Sequence, residues 1–249
     1  MAATLPDIAK VEITIVEMTN VFRRENKLGE VRLNPKLTET ARAYAAYLAR
    51  TGSFSHTADG RSPADRVKIT GYTYCLVGEN LSLNLDSRGF ETRQLASDAV
   101  EGWKRSPGHR KNMLAEHVTE IGVGIAKAAD KEQYLSVQVF GRPDSLKYTF
   151  VIRNQSGASV RYGIDEAPTE VKPGYEVRHT ACRPTRLQFV EARSGIVGRM
   201  LESRFETRDG DIFTVRGEAT ADVVVDYTRG GQTLSQTTGS QTTGSIRTP

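Results

Sequence analysis

Hydrophobic positions across residues 4–27 recur at intervals of three and four: Leu5, Ile8, Val11, Ile15, Met18 and Phe22 line one face of an amphipathic helix. Asn34-Pro35 breaks this pattern. Leu37, Ala41, Tyr44, Ala45 and Leu48 then resume the helical period until Gly52 stops it. In RSPADRVKITGY, Ser62 can cap a short helix with Pro63 at its first position, where the missing amide hydrogen costs nothing. A polar stretch follows Gly78-Glu79-Asn80. QLASDAVEGWKRS next places Leu95, Ala99 and Trp103 on one helical face before Pro107-Gly108 ends the run, so that His109 follows the stop at once. EIGVGIAKA and QYLSVQVFG alternate small or apolar with polar residues around a charged connection, which predicts an antiparallel hairpin. The expected order is helices first, strands last.

From about Leu146 the texture changes. KYTFVIRN, ASVRYGID, YEVRHTA, RLQFVEA, DIFTVRG and DVVVDYT are short runs rich in β-branched and aromatic residues, separated by Gly, Pro, Asn and Asp. That spacing predicts an all-β sandwich, of immunoglobulin-like type, over 146–229. GIVGRMLESRFETRDG reads equally as a strand pair or a short helix. Beyond Arg229 the sequence repeats QTTGS and lacks the apolar residues needed to fold, so 230–249 is expected to be a flexible tail.

Length agrees with this division, since 249 residues exceed one compact domain of common size. Apolar residues make up 38% and charged residues 26%, the composition of a globular chain rather than a disordered one. No apolar run approaches the roughly 20 residues of a spanning helix. The opening MAATLPDIAKVEI lacks a basic start followed by an apolar core, so no secretion signal is read in it. The net charge of +4 is spread evenly, with 20 basic and 18 acidic residues in 1–144 and 14 and 12 in 145–249. Basic residues interleave with acids instead of gathering on one face, which argues against a nucleic-acid partner. The charge-rich runs RRENKLGEVR and DKEQ read as solvated faces. Cys75 and Cys182 lie one in each half, in no metal-type spacing; they are either one interdomain disulfide of an oxidising compartment or two unrelated thiols.

Four stretches carry the chemistry: SFSHTADGRSPADRV at 53–67, VGENLS at 77–82, VEGWKRSPGHRKNML at 100–114 and TEIGVGIA at 119–126. Asn20 and Arg23 add an Asn-x-x-Arg pair, and LNPKLTETARAYAAYLA completes the set. In order and spacing these blocks resemble the bacterial branch of the CAP superfamily, the cysteine-rich secretory, antigen 5 and pathogenesis-related proteins. The resemblance covers about 140 residues, taken as 4–142. It implies a three-layer α/β/α sandwich, so the fold class expected for the whole chain is α+β, with an extracytoplasmic location.

The resemblance further implies a surface cleft in which two histidines, His56 and His109, converge with one glutamate, Glu79. The family's second glutamate lies about a turn after the Trp, a place filled here by the region of Ser106. Glu101, two residues before Trp103, points to a different side of the helix and is at best a substitute. Two imidazoles and a carboxylate suit a divalent ion, zinc foremost, with an open position for water. Glu79 can equally hydrogen-bond a histidine or hold its loop, and isolated histidines often only satisfy local hydrogen bonds. Trp103 reads most simply as a core or cleft-wall residue, and His117 and His179 as surface or structural.

Three kinds of function follow. The first is a binding protein whose cleft takes a divalent metal, a small apolar ligand or a glycan, with the β-domain docking to another surface. The second is a metal-assisted hydrolase of peptide or cell-envelope material, with Glu79 as general base. The third is an envelope component with a vestigial cleft. A serine hydrolase built on Ser106, His109 and Glu79 lacks the Gly-x-Ser-x-Gly elbow and a glycine pair for an oxyanion hole.

Overall fold

The computed structural model describes residues 5–129, 131–165, 167–190, 200–217 and 224–237. The chain divides into two compact units, Met1–Leu146 and Lys147–Pro249.

The first unit runs α1 (Ile8–Glu25), β1 (Arg32–Leu33), α2 (Pro35–Thr51), α3 (Pro63–Ile69), β2 (Tyr74–Leu85), α4 (Thr92–Arg105), α5 (Pro107–Met113), β3 (Glu120–Lys127), β4 (Gln133–Pro143) and a 3-10 turn at Asp144–Leu146. Helices α2 and α3 begin where their sequences direct. Asn34 accepts hydrogen bonds from the amides of Lys36 and Leu37, and Gly52 ends α2 in the left-handed conformation at φ 70°. Ser62 and Asp65 form a reciprocal capping box on α3, with Pro63 in its first turn.

The sheet order is β1-β3-β4-β2, with β3 and β4 the expected antiparallel hairpin. Alternation along the strands builds two cores, one on each face. Ile121, Val123, Ile125, Tyr134 and Phe140 pack with α1, α4 and α5, whereas Leu135, Val137, Val139 and Leu81 pack with α2 and α3. This is a three-layer α/β/α sandwich. Between these layers α2 approaches β3 closely: a Cβ on Gly122 would stand 2.1 Å from the Leu37 carbonyl carbon, and one on Gly124 would stand 2.1 Å from the Arg42 amide nitrogen. The Gly-Val-Gly of TEIGVGIA thus lets a helix lie against a strand.

Two expectations for this unit are corrected. Helices do not all precede strands, because β2 lies between α3 and α4 and pairs with β4 along its length. Its run ENLSLNL leaves Leu83 and Leu85 exposed at the sheet edge, so the alternation there does not mark a buried face. Helix α4 does stop just before Pro107-Gly108, at Arg105, but no loop follows it. Proline is tolerated in a first turn, and here it opens α5, placing His109 on a helix rather than in a loop.

The second unit runs β5 (Tyr148–Asn154), β6 (Val160–Ile164), β7 (Ala167–Val171), β8 (Glu176–Ala181), β9 (Arg186–Val190), β10 (Met200–Glu206), β11 (Ile212–Arg216), β12 (Val224–Arg229) and β13 (Gln232–Thr237). They form two sheets, β10-β9-β6-β7 and β13-β12-β11-β5-β8, with β11 and β5 parallel and the other pairs antiparallel. Phe150, Tyr162, Leu187, Phe189, Phe213 and Val215, drawn from both sheets, share one core. Of the ambiguous segment, Met200–Glu206 is strand, and residues 195–199 lie outside the described residues. The expected tail is corrected over Gln232–Thr237, which pairs with β12. Gly230 and Gly231 both have positive φ, 55° and 82°, which a tight two-residue hairpin requires. The rest of that segment, 238–249, lies outside the described residues.

Candidate functional site

The loop carrying His56 is pinned from below by α2. The Tyr44 hydroxyl donates to the Ser55 carbonyl and accepts from the Ala58 amide at 3.1 Å, and the Tyr47 hydroxyl donates to the Ala58 carbonyl at 2.9 Å. Tyr44 and Tyr47 occur one turn of helix apart, so their hydroxyls grip adjacent parts of one loop. His56 itself is half exposed, and its Nδ1 lies 2.8 Å from Oε1 of Glu79.

Glu79 lies on β2 with its side chain only 1% exposed. A carboxylate at such depth requires partners. Its second oxygen accepts from Arg66 Nη2 at 2.8 Å. Arg66, on α3, also donates from Nη2 to the His56 carbonyl at 2.9 Å and from Nη1 to Asp59 Oδ1 at 2.8 Å and the Arg61 carbonyl at 2.9 Å. Its guanidinium lies 3.4 Å from the centre of the Tyr44 ring, a cation–π contact. Both oxygens of Glu79 are therefore engaged, one by an imidazole and one by a guanidinium.

The other histidine, His109, is carried by α5. It is partly buried, and among the described residues its ring makes no hydrogen bond. Burial first, and then the influence of His56, push its pKa below the ordinary histidine value. The position of α5 is fixed by a buried polar chain. Asn80 Nδ2 donates to the His109 carbonyl at 3.1 Å and to Gln138 Oε1 at 3.0 Å, and Gln138 Nε2 donates to Thr19 Oγ1 at 2.9 Å on α1. Asn112 Nδ2 completes it by donating to the Glu79 carbonyl and to Asn80 Oδ1. Arg23, 1% exposed, holds the end of α5 through the carbonyls of Met113 and Ala115. The charged run that begins at Arg23 is therefore not wholly a solvated face. Asn20 bonds both amide and carbonyl of Val31.

The remaining sequence candidates stand apart from this cluster. Glu101 pairs with Lys104 one helical turn on, at 2.7 Å. Ser106 joins α4 to α5, and among the described residues no hydrogen bond links its hydroxyl to His109 or Glu79. Trp103 is buried and donates from Nε1 to the Leu81 carbonyl, which makes it a core residue. His117 offers its carbonyl to Arg142, and His179 accepts from or donates to the Tyr162 hydroxyl at 2.9 Å in the second unit.

Sequence reasoning missed Arg66, Asp59 and Asn112. Arg66 reads as one more surface charge in ADRVKI; the signal that could have found it is its proximity in sequence to both His56 and the acidic Asp59.

The three-ligand arrangement expected for His56, His109 and Glu79 is not what the hydrogen bonds show. His56 has Nδ1 committed to Glu79, which leaves Nε2 as its outward nitrogen; His109 is unbonded; and Glu79 has no uncommitted oxygen. Among the described residues no group of three or more His, Cys, Asp or Glu is arranged to hold an ion. A carboxylate behind a ligating imidazole is a common supporting arrangement.

The sequence profile of the cysteine-rich secretory protein family, CAP, matches residues 16–140. Uncharacterized protein YkwD of Bacillus subtilis strain 168 is 31% identical over 122 residues, covering 49% of this chain and 44% of that protein. Uncharacterized membrane protein YlbC of the same organism is 30% identical over 115 residues, covering 46% of this chain and 31% of that protein. The chain thus spans less than half the length of these relatives. Among solved structures, an extracellular protein containing a SCP domain from Bacillus anthracis str. Ames is 26% identical, with a TM-score of 0.45, covering 54% of this chain and 41% of that one. An outer surface protein from Borrelia burgdorferi is 21% identical, with a TM-score of 0.46, covering 52% of this chain and 90% of that one. With the family profile matching half of its length, the chain belongs to the cysteine-rich secretory protein family.

Proposed function

We propose that this is an extracytoplasmic binding protein whose cleft takes a divalent metal, zinc foremost, through His56 and His109. The observation that carries the reading is the full engagement of Glu79 by His56 and Arg66. It supports a carboxylate that orients a ligand and argues against a general base for the alternative metal-assisted hydrolase, which would need an oxygen within reach of a bound water. A bound ion would supply Lewis acidity and an open coordination position. The chain's own residues hold two imidazoles at the cleft, one oriented by Glu79 and the other carried on a helix fixed by Asn80. The exposed Phe54, two residues from His56, supports a small apolar ligand or glycan beside the ion.

Neither cysteine is a free thiol, in keeping with an oxidising compartment. No helix among the described residues is long and apolar enough to cross a membrane. Residues 146–229 are read as an immunoglobulin-like interaction module that docks to a cell-envelope component.

X-ray absorption at the zinc edge of the zinc-loaded protein tests the donor set. Two imidazole nitrogens at about 2.0 Å, completed by water oxygens, are expected. A site with no imidazole scattering would overturn the reading.

A further inference from the structure

We propose that Arg66 is the positioning residue of the cleft: it sets the direction of a hydrogen-bond chain running through residue 79 to His56, and thereby which nitrogen of His56 is open to a ligand. This deepens the metal-site reading and rests on it for its functional meaning, but its test requires no metal.

The argument uses only donors and acceptors. A guanidinium can donate but not accept, so whatever atom of residue 79 faces Arg66 must be an acceptor. Arg66 has no freedom to turn away. Its two Nη atoms make four bonds, to Glu79, Asp59 and the carbonyls of His56 and Arg61, and its plane is covered by Tyr44. In the native chain both carboxylate oxygens accept, one from Arg66 and one from His56, so the neutral imidazole carries its proton on Nδ1 and leaves Nε2 with a lone pair. The orienting effect of Arg66 is hidden there because a carboxylate accepts at both ends. It emerges when residue 79 has one acceptor and one donor.

Glu79→Gln provides that case with almost no change of shape. Arg66 claims the amide oxygen. The amide nitrogen is then left facing His56, whose Nδ1 must become the acceptor, so the ring proton moves to Nε2 and the outward lone pair is lost. Removing the guanidinium as well, in Glu79→Gln with Arg66→Met, frees the amide to turn. Its oxygen can then accept from Nδ1–H, and Nε2 reopens. A residue with a merely structural role would not restore a tautomer when a second contact is removed.

The test is a two-bond nitrogen–proton correlation spectrum of the histidine rings in the metal-free protein, recorded at alkaline pH, where the spectrum itself reports the neutral form of each ring. His56 is assigned by His56→Ala, and the Trp103 indole N–H, bonded to the Leu81 carbonyl, reports the fold of each variant. The proposal expects the proton on Nδ1 in the native chain, on Nε2 in Glu79→Gln and again on Nδ1 in the double variant. With zinc, the single variant is expected to bind at least tenfold more weakly and the double variant to recover most of that loss. A proton that stays on Nδ1 in Glu79→Gln, or on Nε2 in the double variant, would overturn the proposal. If the native chain takes no zinc while the tautomers alternate as described, the metal reading fails and the role of Arg66 stands.

Discussion

His56 Nδ1 and Glu79 Oε1 are 2.8 Å apart, which joins a half-exposed imidazole on a loop to a carboxylate buried in the sheet. Because Arg66 takes the other oxygen, Glu79 links the guanidinium to the imidazole, the arrangement on which the proposed binding role rests. Each oxygen of Glu79 already holds one donor and the side chain is only 1% exposed, so a water has little access to its remaining lone pairs.

Breaking the Arg66–Glu79 pair is expected to be expensive. Their side chains are 6% and 1% exposed, so Arg66→Met leaves a buried carboxylate without its guanidinium and should cost about 3–5 kcal/mol. Arg24→Met removes an exposed pair with Glu30 and should cost less than about 1 kcal/mol. Urea unfolding of the two variants measures the difference, and equal costs would contradict the burial argument.

The glycines of β3 provide a packing test. Gly122→Ala or Gly124→Ala drives a methyl group into the backbone of α2 and is expected to cost more than about 3 kcal/mol or to prevent folding. In α4, a Cβ at Gly102 meets nothing within 4 Å, so Gly102→Ala should stabilise by about 0.5–1 kcal/mol through helix propensity. Thermal melts of the three variants decide it.

Much of this framework is legible in the sequence, because the periodic apolar positions of α2, from Leu37 to Leu48, are the positions that become buried. The two histidines and Glu79 are legible through motif resemblance alone, since His56 and His109 lie more than fifty residues apart. Four features are not legible, each for a physical reason. Strand β2 exposes leucines at a sheet edge, which blurs its alternation. Helix α5 opens with Pro107-Gly108, a pair that reads as a stop although proline also suits a first turn. Strand β13 is built of Thr, Ser and Gln, whose pairing is decided by the Gly230-Gly231 turn and the neighbouring strand rather than by burial. Arg66 is hidden because composition cannot distinguish a buried guanidinium from a solvated one.

The chain from Thr19 through Gln138 and Asn80 to α5 should couple the interior to the helix that carries His109. Gln138→Leu leaves Thr19 and Asn80 without their buried partner and is expected to cost about 1–3 kcal/mol. Asn80→Ala also releases the His109 carbonyl and should weaken zinc binding in addition to stability. Urea titration paired with zinc affinity separates the two effects; a variant that loses stability but binds as tightly as the native chain would contradict the coupling.

Acid should destabilise both units through histidines held below their ordinary pKa. His109 is lowered by burial and by His56, and His179 by burial. A lowered pKa means that the unfolded chain takes up protons first. The stabilisation is therefore complete above about pH 6.5 and declines as pH falls from there through the folded-state values. His109→Gln and His179→Gln should each flatten the dependence of melting temperature on pH in that range. An unchanged slope would contradict the assignment.

The most direct test of the cleft is calorimetric titration of zinc into the native chain and into the double variant His56→Ala, His109→Ala at near-neutral pH. The account predicts micromolar or tighter binding by the native chain and its loss in the double variant, whereas equal binding by both, or none by the native chain, would contradict it.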